Sequence, residues 1–171
     1  MFDFKQKGFT LIELLVVIAV IGIISSLVLV SMGEARAKAR DSRRKSDIDQ
    51  VRRALELYYI DNGQYPLSGG AVSPNSGWTN SNHSSWDNLA TDLRPYLAGL
   101  PKDPVNSSSG WAGTAGIYTY NFYSRGYGCE RHWYMIVYRM EKTTTASPGV
   151  LACNGTNFNY SGTVTIGMRQ K

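Results

Sequence analysis

The chain has 171 residues and a formal net charge of +5, which suits one domain with a membrane anchor and leaves no room for several domains. The excess of basic over acidic residues permits binding to acidic surfaces or nucleic acid but supports such binding only weakly. No GxSxG, HExxH, P-loop or GxGxxG motif occurs, and His83 and His132 are isolated. The sequence therefore indicates no enzyme, no cofactor and no metal site.

The first predicted element is an apolar run of 24 residues, Phe9 to Met32, which is long enough to span a bilayer. Its one charged residue is Glu13. An acidic side chain at the centre of a membrane helix costs about 2.5–3.5 kcal/mol on insertion scales, so Glu13 predicts a compensating partner. If the chain is cut after Gly8, the new amine on Phe9 lies four residues before Glu13. That amine can pair with Glu13 of its own chain or of a packed neighbour.

Residues 7–18 read KGFTLIELLVVI, and this stretch resembles the class III signal of type IV pilins and of type II secretion pseudopilins. The resemblance implies that residues 1–8 are a leader peptide, which a prepilin peptidase removes between Gly8 and Phe9. The same enzyme would N-methylate Phe9. The resemblance further implies that Glu13 directs subunit docking, and that the partners are other copies of this chain and an inner-membrane assembly platform.

A continuous α-helix is predicted from Phe9 to Asn62, because no proline interrupts it and Asp61-Asn62-Gly63 is a stop signal. Residues 9–33 are its hydrophobic half, for the membrane or a filament core, and residues 34–63 are its amphipathic half. An apolar stripe recurs in the second half at steps of three and four, namely Ile48, Val51, Leu55 and Tyr58. We expect the charged residues between them to form a solvated or subunit-facing surface.

Residues 64–171 are predicted to form a globular head. Its first residues, Tyr65 and Pro66, resemble the helix-to-loop junction of the major pseudopilins, and Tyr65 is expected to pack back on the helix. Loops rich in Gly, Ser and Asn are expected at 68–85 and 107–116, with a short helix between them at 86–97. Alternating apolar residues predict three strands, at 117–123, 133–140 and 160–168.

One face of the resulting small antiparallel sheet is expected to pack on the apolar stripe of the long helix. The predicted fold class is therefore α+β, with the arrangement of a pilin. The many aromatic residues of the strands are assigned to core and sheet packing rather than to stacking on sugars or bases.

Cys129 and Cys153 suggest a single disulfide outside the cytoplasm, although two buried free thiols would fit the same count. The cysteines and the processing motif favour an exported head, whereas the basic residues that follow the span favour a cytoplasmic one by the positive-inside rule. We adopt the exported orientation, in a protein that crosses the membrane once before assembly.

Two further features of the head are assigned no role. Related pseudopilins often hold calcium near the sheet, but the corresponding loop, 107–116, has no carboxylate, so no metal is expected. Four Asn-x-Ser/Thr sequons are expected to be incidental in a chain this rich in these residues, and they begin at Asn82, Asn106, Asn154 and Asn159.

The sequence thus predicts a structural subunit of a type IV pilus-like filament, which lies outside the cell or in the periplasm after assembly. The alternative within the same class is the major pseudopilin of a type II secretion system. The cysteine pair and the missing calcium carboxylates favour the pilus, and the Tyr65-Pro66 junction favours the pseudopilin. A hypothesis from a different functional class is that the protein is a membrane-anchored module that binds DNA or glycans.

Overall fold

The protein is represented by a computed structural model that describes residues 8–69, 77–142, 147 and 149–170, with the backbone alone at 27–30. The expected leader, except Gly8, and the middle of the loop expected at 68–85 lie outside these ranges. The chain divides into two compact units, Met1–Ala39 and Arg40–Lys171.

The first unit contains the start of helix α1, which runs from Leu11 to Asn62 and continues into the second unit. The predicted long helix is confirmed, and it begins two residues after Phe9. The helix is unbroken through Gly22 and the pair Ser25-Ser26, since the i→i−4 ladder tolerates these residues when no proline is present.

The second unit contains a four-stranded antiparallel sheet and a separate hairpin. The strands are β1 (Thr79–Asn80), β2 (Asn121–Tyr123), β3 (Trp133–Tyr138), β4 (Val150–Leu151), β5 (Asn157–Phe158) and β6 (Val164–Arg169), and helix α2 spans Ser85–Leu93. The sheet has the order β1-β2-β3-β6, and β4 pairs with β5. The α+β class is therefore confirmed.

The main core lies between one face of this sheet and the second half of α1. The helix supplies the predicted stripe, with Ile48, Val51 and Leu55 almost fully buried. The sheet supplies alternate residues, because side chains two apart share a face. These are Tyr120 and Phe122, then Tyr134, Ile136 and Tyr138, with Val164 and Ile166 partly buried beside them.

The other face of the sheet carries a second, smaller cluster. Trp133 and Met135 of β3 are buried there with Cys129, Val150 and Ala152, and partly buried aromatic rings surround them. The ring of Trp133 stacks on Phe158 with centroids 5.6 Å apart. The strand aromatics therefore pack within the two clusters, as the sequence predicts.

Helix α1 ends where the sequence predicts. Gly63 has a φ of +67°, a conformation that favours glycine, and its N–H donates to the carbonyl of Tyr59 at 2.8 Å. Tyr65 then folds back and is fully buried, with its ring centroid 4.7 Å from that of Tyr59. The hydroxyl of Tyr65 donates to the carboxylate of Glu56, which fixes the junction.

Several elements differ from the prediction, among them β3, which ends at Tyr138 rather than residue 140, and β6, which begins at Val164 rather than residue 160. Strand β2 begins at Asn121 rather than residue 117, because the backbone of Tyr118 and Tyr120 bonds to Ser107 and Ser81 instead of a strand. Helix α2 ends at Leu93, since residues 94–97 tighten into turns that bond to Leu93. Strand β1 lies inside the predicted loop, and the β4–β5 hairpin was not predicted. Both consist of two-residue strands, which are too short to show an alternating pattern.

Candidate functional site

The expected cleavage site lies at the start of the described chain. Gly8, Phe9 and Thr10 precede the helix in an irregular conformation, and Phe9 is 86% exposed. Apart from its chain neighbours, no described residue has an atom within 4 Å of the position that a side chain on Gly8 would occupy. The peptide bond between Gly8 and Phe9 is therefore not enclosed by any part of the chain that the structure describes.

Glu13 has a partner three residues before it. The backbone N–H and the hydroxyl of Thr10 both donate to one oxygen of the Glu13 carboxylate, at 2.8 and 2.6 Å. The N–H of Glu13 in turn donates to the Thr10 hydroxyl at 3.3 Å. Since α1 begins at Leu11, Thr10 is its N-cap and Glu13 its third residue, so this pair is a capping box.

The capping box gives Glu13 an intrachain partner that the sequence analysis overlooked. The signal was present, because Thr-x-x-Glu before an apolar run is a recognised start of a helix. A carboxylate in the first turn is further stabilised by the helix dipole. The expected pair with the Phe9 amine is a separate contact and remains a prediction.

The surface that follows the capping box is apolar and uncovered. Large hydrophobic side chains are exposed from Leu11 to Ile24, and none of the most apolar stretch is buried. Among the described residues, α1 is the one helix that is long and apolar enough to cross a membrane. This surface needs lipid or other apolar helices around it, because its exposure to water is unfavourable.

The charged part of α1 in the second unit behaves differently from the prediction. Arg44, expected on a solvated surface, is 0% exposed and lies among three carboxylates. Its Nε and Nη2 donate to the two oxygens of Asp103 at 2.7 and 3.0 Å. Its Nη1 donates to Asp41 at 2.8 Å and to Glu141 at 2.7 Å. The prediction of a solvated or subunit-facing surface is therefore wrong at Arg44, and at Asp41 and Asp47, which are buried as well.

The carboxylates around Arg44 also organise the loops that carry them. Asp41 accepts the backbone N–H groups of Glu141 and Lys142, after β3. Asp103, in the proline-bounded connector after α2, accepts the N–H groups of Val105 and Asn106. The cluster thus ties α1 to two loops of the same unit, and we call Asp41, Arg44, Asp103 and Glu141 the Arg44 clamp.

The ionisation of the clamp follows from its geometry. Hydrogen bonds from Arg40, followed by those from Arg44, lower the pKa of Glu141 to about 2. Burial alone would lower the pKa of Arg44, but its bonds to Asp103 and Glu141 outweigh burial and raise it. Glu141 and Arg44 are therefore charged near neutral pH, and the guanidinium groups of Arg40 and Arg44 are held by carboxylates and are not free for nucleic acid.

The loop at 107–116, where the resemblance described above would place a calcium site, does not supply the ligands of that ion. Calcium takes six to eight oxygen ligands, usually with several carboxylates, and residues 107–116 contain none. The nearby Asp103 already bonds to Arg44. Within the described ranges no group of three or more His, Cys, Asp or Glu side chains is placed to hold a metal.

Cys129 and Cys153 form a disulfide, with their Cα atoms 5.2 Å apart. The bond joins the turn before β3 to the turn of the β4–β5 hairpin. In the chain-entropy model, a crosslink over a loop of this length stabilises the fold by roughly 3 kcal/mol.

Comparison with known proteins places the sequence among secretion proteins. The family model described as "Prokaryotic N-terminal methylation motif" matches residues 3–29. The family model described as "Type II secretion system (T2SS), protein G" matches residues 31–131, which is more than half of the chain. No solved structure matches the chain significantly.

Several relatives carry the name type II secretion system core protein G. The protein from Vibrio cholerae is 31% identical over 121 residues, which cover 67% of this chain and 80% of the relative. The protein from Pseudomonas aeruginosa is 32% identical over 102 residues, 58% of this chain and 68% of the relative. The protein from Escherichia coli is 44% identical over 64 residues, 37% of this chain.

The chain spans less than half the length of the Escherichia coli relative, 44%, whereas the match to the Vibrio cholerae protein extends well into the head. Both the methylation motif and the protein G model fall on the segments that contain the capping box, α1 and the first part of the sheet. Taken with the long helix and antiparallel sheet, these matches show that the chain belongs to the type II secretion system protein G family.

Proposed function

We propose that the chain is a filament subunit, the major pseudopilin of a type II secretion system. A prepilin peptidase cuts it after Gly8 and methylates the amine of Phe9. The processed chain then leaves the inner membrane and polymerises on an assembly platform. The observation that carries this proposal is the uncovered apolar surface of α1 in a chain of the protein G family.

The two environments of that surface explain why the protein is first anchored and then assembled. A bilayer covers the apolar residues before assembly, and the corresponding helices of neighbouring subunits cover them afterwards. A filament subunit of either kind, secretion or pilus, requires its apolar helix to exchange one environment for the other, whereas a permanently anchored binding module does not. The disulfide supports an exported head, since such bonds persist outside the cytoplasm.

Glu13 is assigned the docking role in this mechanism. In the precursor its carboxylate is held by Thr10, which reduces the cost of placing it in the membrane. In the filament it pairs with the Phe9 amine of a neighbouring subunit. Removing one partner of a desolvated ion pair costs about 3–5 kcal/mol, and a filament repeats that loss at each subunit.

The secretion role is preferred over the pilus role favoured by the sequence analysis, because the relatives and the family model are those of the secretion protein. A pilus subunit remains the second candidate, on the strength of the disulfide and of the loop without carboxylates. Deletion of the gene separates the two. A secretion subunit is required for release of exported enzymes into the medium, whereas a pilus subunit is not.

The substitution Glu13→Ala tests the mechanism in the native cells. We expect a mature chain that begins at a methylated Phe9, together with few or no fibres in sheared surface material examined by electron microscopy. The matched control is Ser26→Ala, because Ser26 lies on the same helix and bonds only to the carbonyl of Ile23. This control should form normal fibres.

Two results would contradict parts of the proposal separately. Fibres of normal number from Glu13→Ala would exclude the pairing of Glu13 with the amine. A wild-type chain that still begins at Met1, measured by intact mass, would exclude cleavage after Gly8 and would favour a permanently anchored binding module.

A further inference from the structure

The four sequons of the head differ in what their asparagine side chains do. N-glycosylation uses the amide nitrogen of asparagine in Asn-x-Ser/Thr, so the nitrogen must be accessible and free to react. The structure describes all four asparagines: Asn82, Asn106, Asn154 and Asn159. The four sites can therefore be ranked as glycan acceptors by the hydrogen bonds of their Nδ2 atoms and by the exposure of each asparagine.

Three of the four amide nitrogens are engaged in the fold. Nδ2 of Asn82 donates to the carbonyls of Ser107 and Gly110, at 2.8 and 3.0 Å. Nδ2 of Asn106 donates to the carbonyl of Ser81 at 3.3 Å. Nδ2 of Asn159 donates to the carbonyl of Ser147 at 2.8 Å. A glycan on any of these atoms would crowd the carbonyl that accepts from it and disturb contacts between segments of the head.

Asn154 differs in its hydrogen bonding, although Asn159 is exposed as well. It lies with Gly155 and Thr156 in the exposed turn between β4 and β5. Its Oδ1 accepts the backbone N–H of Thr156 at 3.0 Å, which orients the amide. Its Nδ2 donates to none of the residues that the structure describes. The adjacent Cys153 is bonded to Cys129, and this anchors the base of the turn while its tip faces solvent.

We propose that Asn154 is the acceptor of an N-linked glycan. An oligosaccharyltransferase would transfer the glycan from a polyprenyl diphosphate donor. The bond between the anomeric carbon and the phosphate oxygen breaks, and the diphosphate leaves. A bond forms between that carbon and Nδ2 of Asn154, and the amide proton passes to a base of the enzyme. The inference goes beyond the filament role and requires only an exported head.

The geometry explains why this turn suits such an enzyme. Gly155 has a φ of +86° and leaves the middle of the sequon without a side chain. Thr156 is exposed, so the third residue of the sequon is accessible to a transferase. A glycan attached here would add a polar group to the tip of a hairpin and would displace no packed residue.

The test is peptide mapping of the full chain purified from its own cells, with fragmentation that leaves glycans attached. We expect a glycan mass on Asn154 and none on Asn82, Asn106 or Asn159. The substitution Thr156→Ala should remove the glycan, and Thr156→Ser should retain it. Ser161→Ala is the matched control, because it destroys only the sequon at Asn159, and it should change nothing.

Three results would overturn the proposal. These are an unmodified Asn154 in the wild-type chain, a glycan on one of the other three asparagines, and conversion of Asn154 to aspartate as its sole modification. Because wild-type protein gives each of these answers, the test does not depend on whether a variant folds. None of these results bears on cleavage at Gly8 or on fibre formation, so failure here leaves the proposed function standing.

Discussion

Replacement of Arg44 by methionine tests the largest unexpected feature of the head. The substitution keeps an unbranched side chain of moderate length but removes the buried guanidinium. It leaves Asp41 and Asp103 without their cation, while Glu141 keeps the neighbouring Arg40. Three carboxylates that now share one positive charge would face each other in a site from which water is excluded.

The expected loss is large because all three guanidinium nitrogens of Arg44 donate hydrogen bonds within the clamp. Removing one member of a buried ion pair costs about 3–5 kcal/mol. The guanidinium also lies 4.8 Å from the ring centroid of Tyr118. The loss of this contact is included in the estimate of about 3–5 kcal/mol. For a chain of this size, each kcal/mol lowers the midpoint of thermal unfolding by about 2–4 °C. Arg44→Met should therefore lower the midpoint by roughly 6–20 °C.

The assay is thermal unfolding of the full chain in detergent, followed by tryptophan fluorescence. Arg43→Ala is the control one residue away, since Arg43 is 68% exposed and lies 3.8 Å from Asp47. Because Arg43 is exposed and the distance is long, this ion pair should contribute less than about 1 kcal/mol. If Arg44→Met lowers the midpoint no more than Arg43→Ala does, the clamp does not stabilise the head and our reasoning is wrong.

Two further predictions concern the clamp and the end of α1. The pKa of Glu141 is lowered from 4.5 to about 2, so its carboxylate contributes stability that is complete above pH 4.5 and is lost as the pH falls toward 2. In urea unfolding at pH 7 and pH 3, wild type should lose more stability than Glu141→Gln, and equal losses would contradict the assignment. Gly63→Ala places a side chain at a φ of +67° and should cost roughly 1–2 kcal/mol in the same measurement. Gly33→Ala, inside the helix with open space around it, should be neutral or slightly stabilising, and similar costs for both would refute the explanation.

The features that the sequence predicts are those with local signals. The length of α1 follows from the absence of proline, its end follows from Gly63, and its buried stripe follows from the spacing of Ile48, Val51 and Leu55. Each signal lies within a few residues of the structure it determines. The alternating strands β3 and β6 were likewise found because each has six residues.

The features that escaped prediction depend on distant parts of the chain. Arg44 meets Asp103 and Glu141 across 59 and 97 positions, so nothing near Arg44 distinguishes it from the exposed Arg43. The Thr10–Glu13 pair is an exception, because its signal is local. It was missed because a charged partner was sought for Glu13, whereas a hydroxyl and a backbone N–H satisfy it.

The disulfide has a mechanical consequence for a subunit that is pulled. Cys129 and Cys153 are 24 positions apart in the sequence. Strand β3, one of the two inner strands of the sheet, lies in the segment between them. Tension applied along the chain passes through the sulfur atoms and bypasses this loop. The disulfide therefore prevents about 80 Å of chain from extending, at roughly 3.4 Å per residue. A head that is stretched can therefore extend only in the segments before Cys129 and after Cys153, and the backbone of β3 bears no tension along the chain.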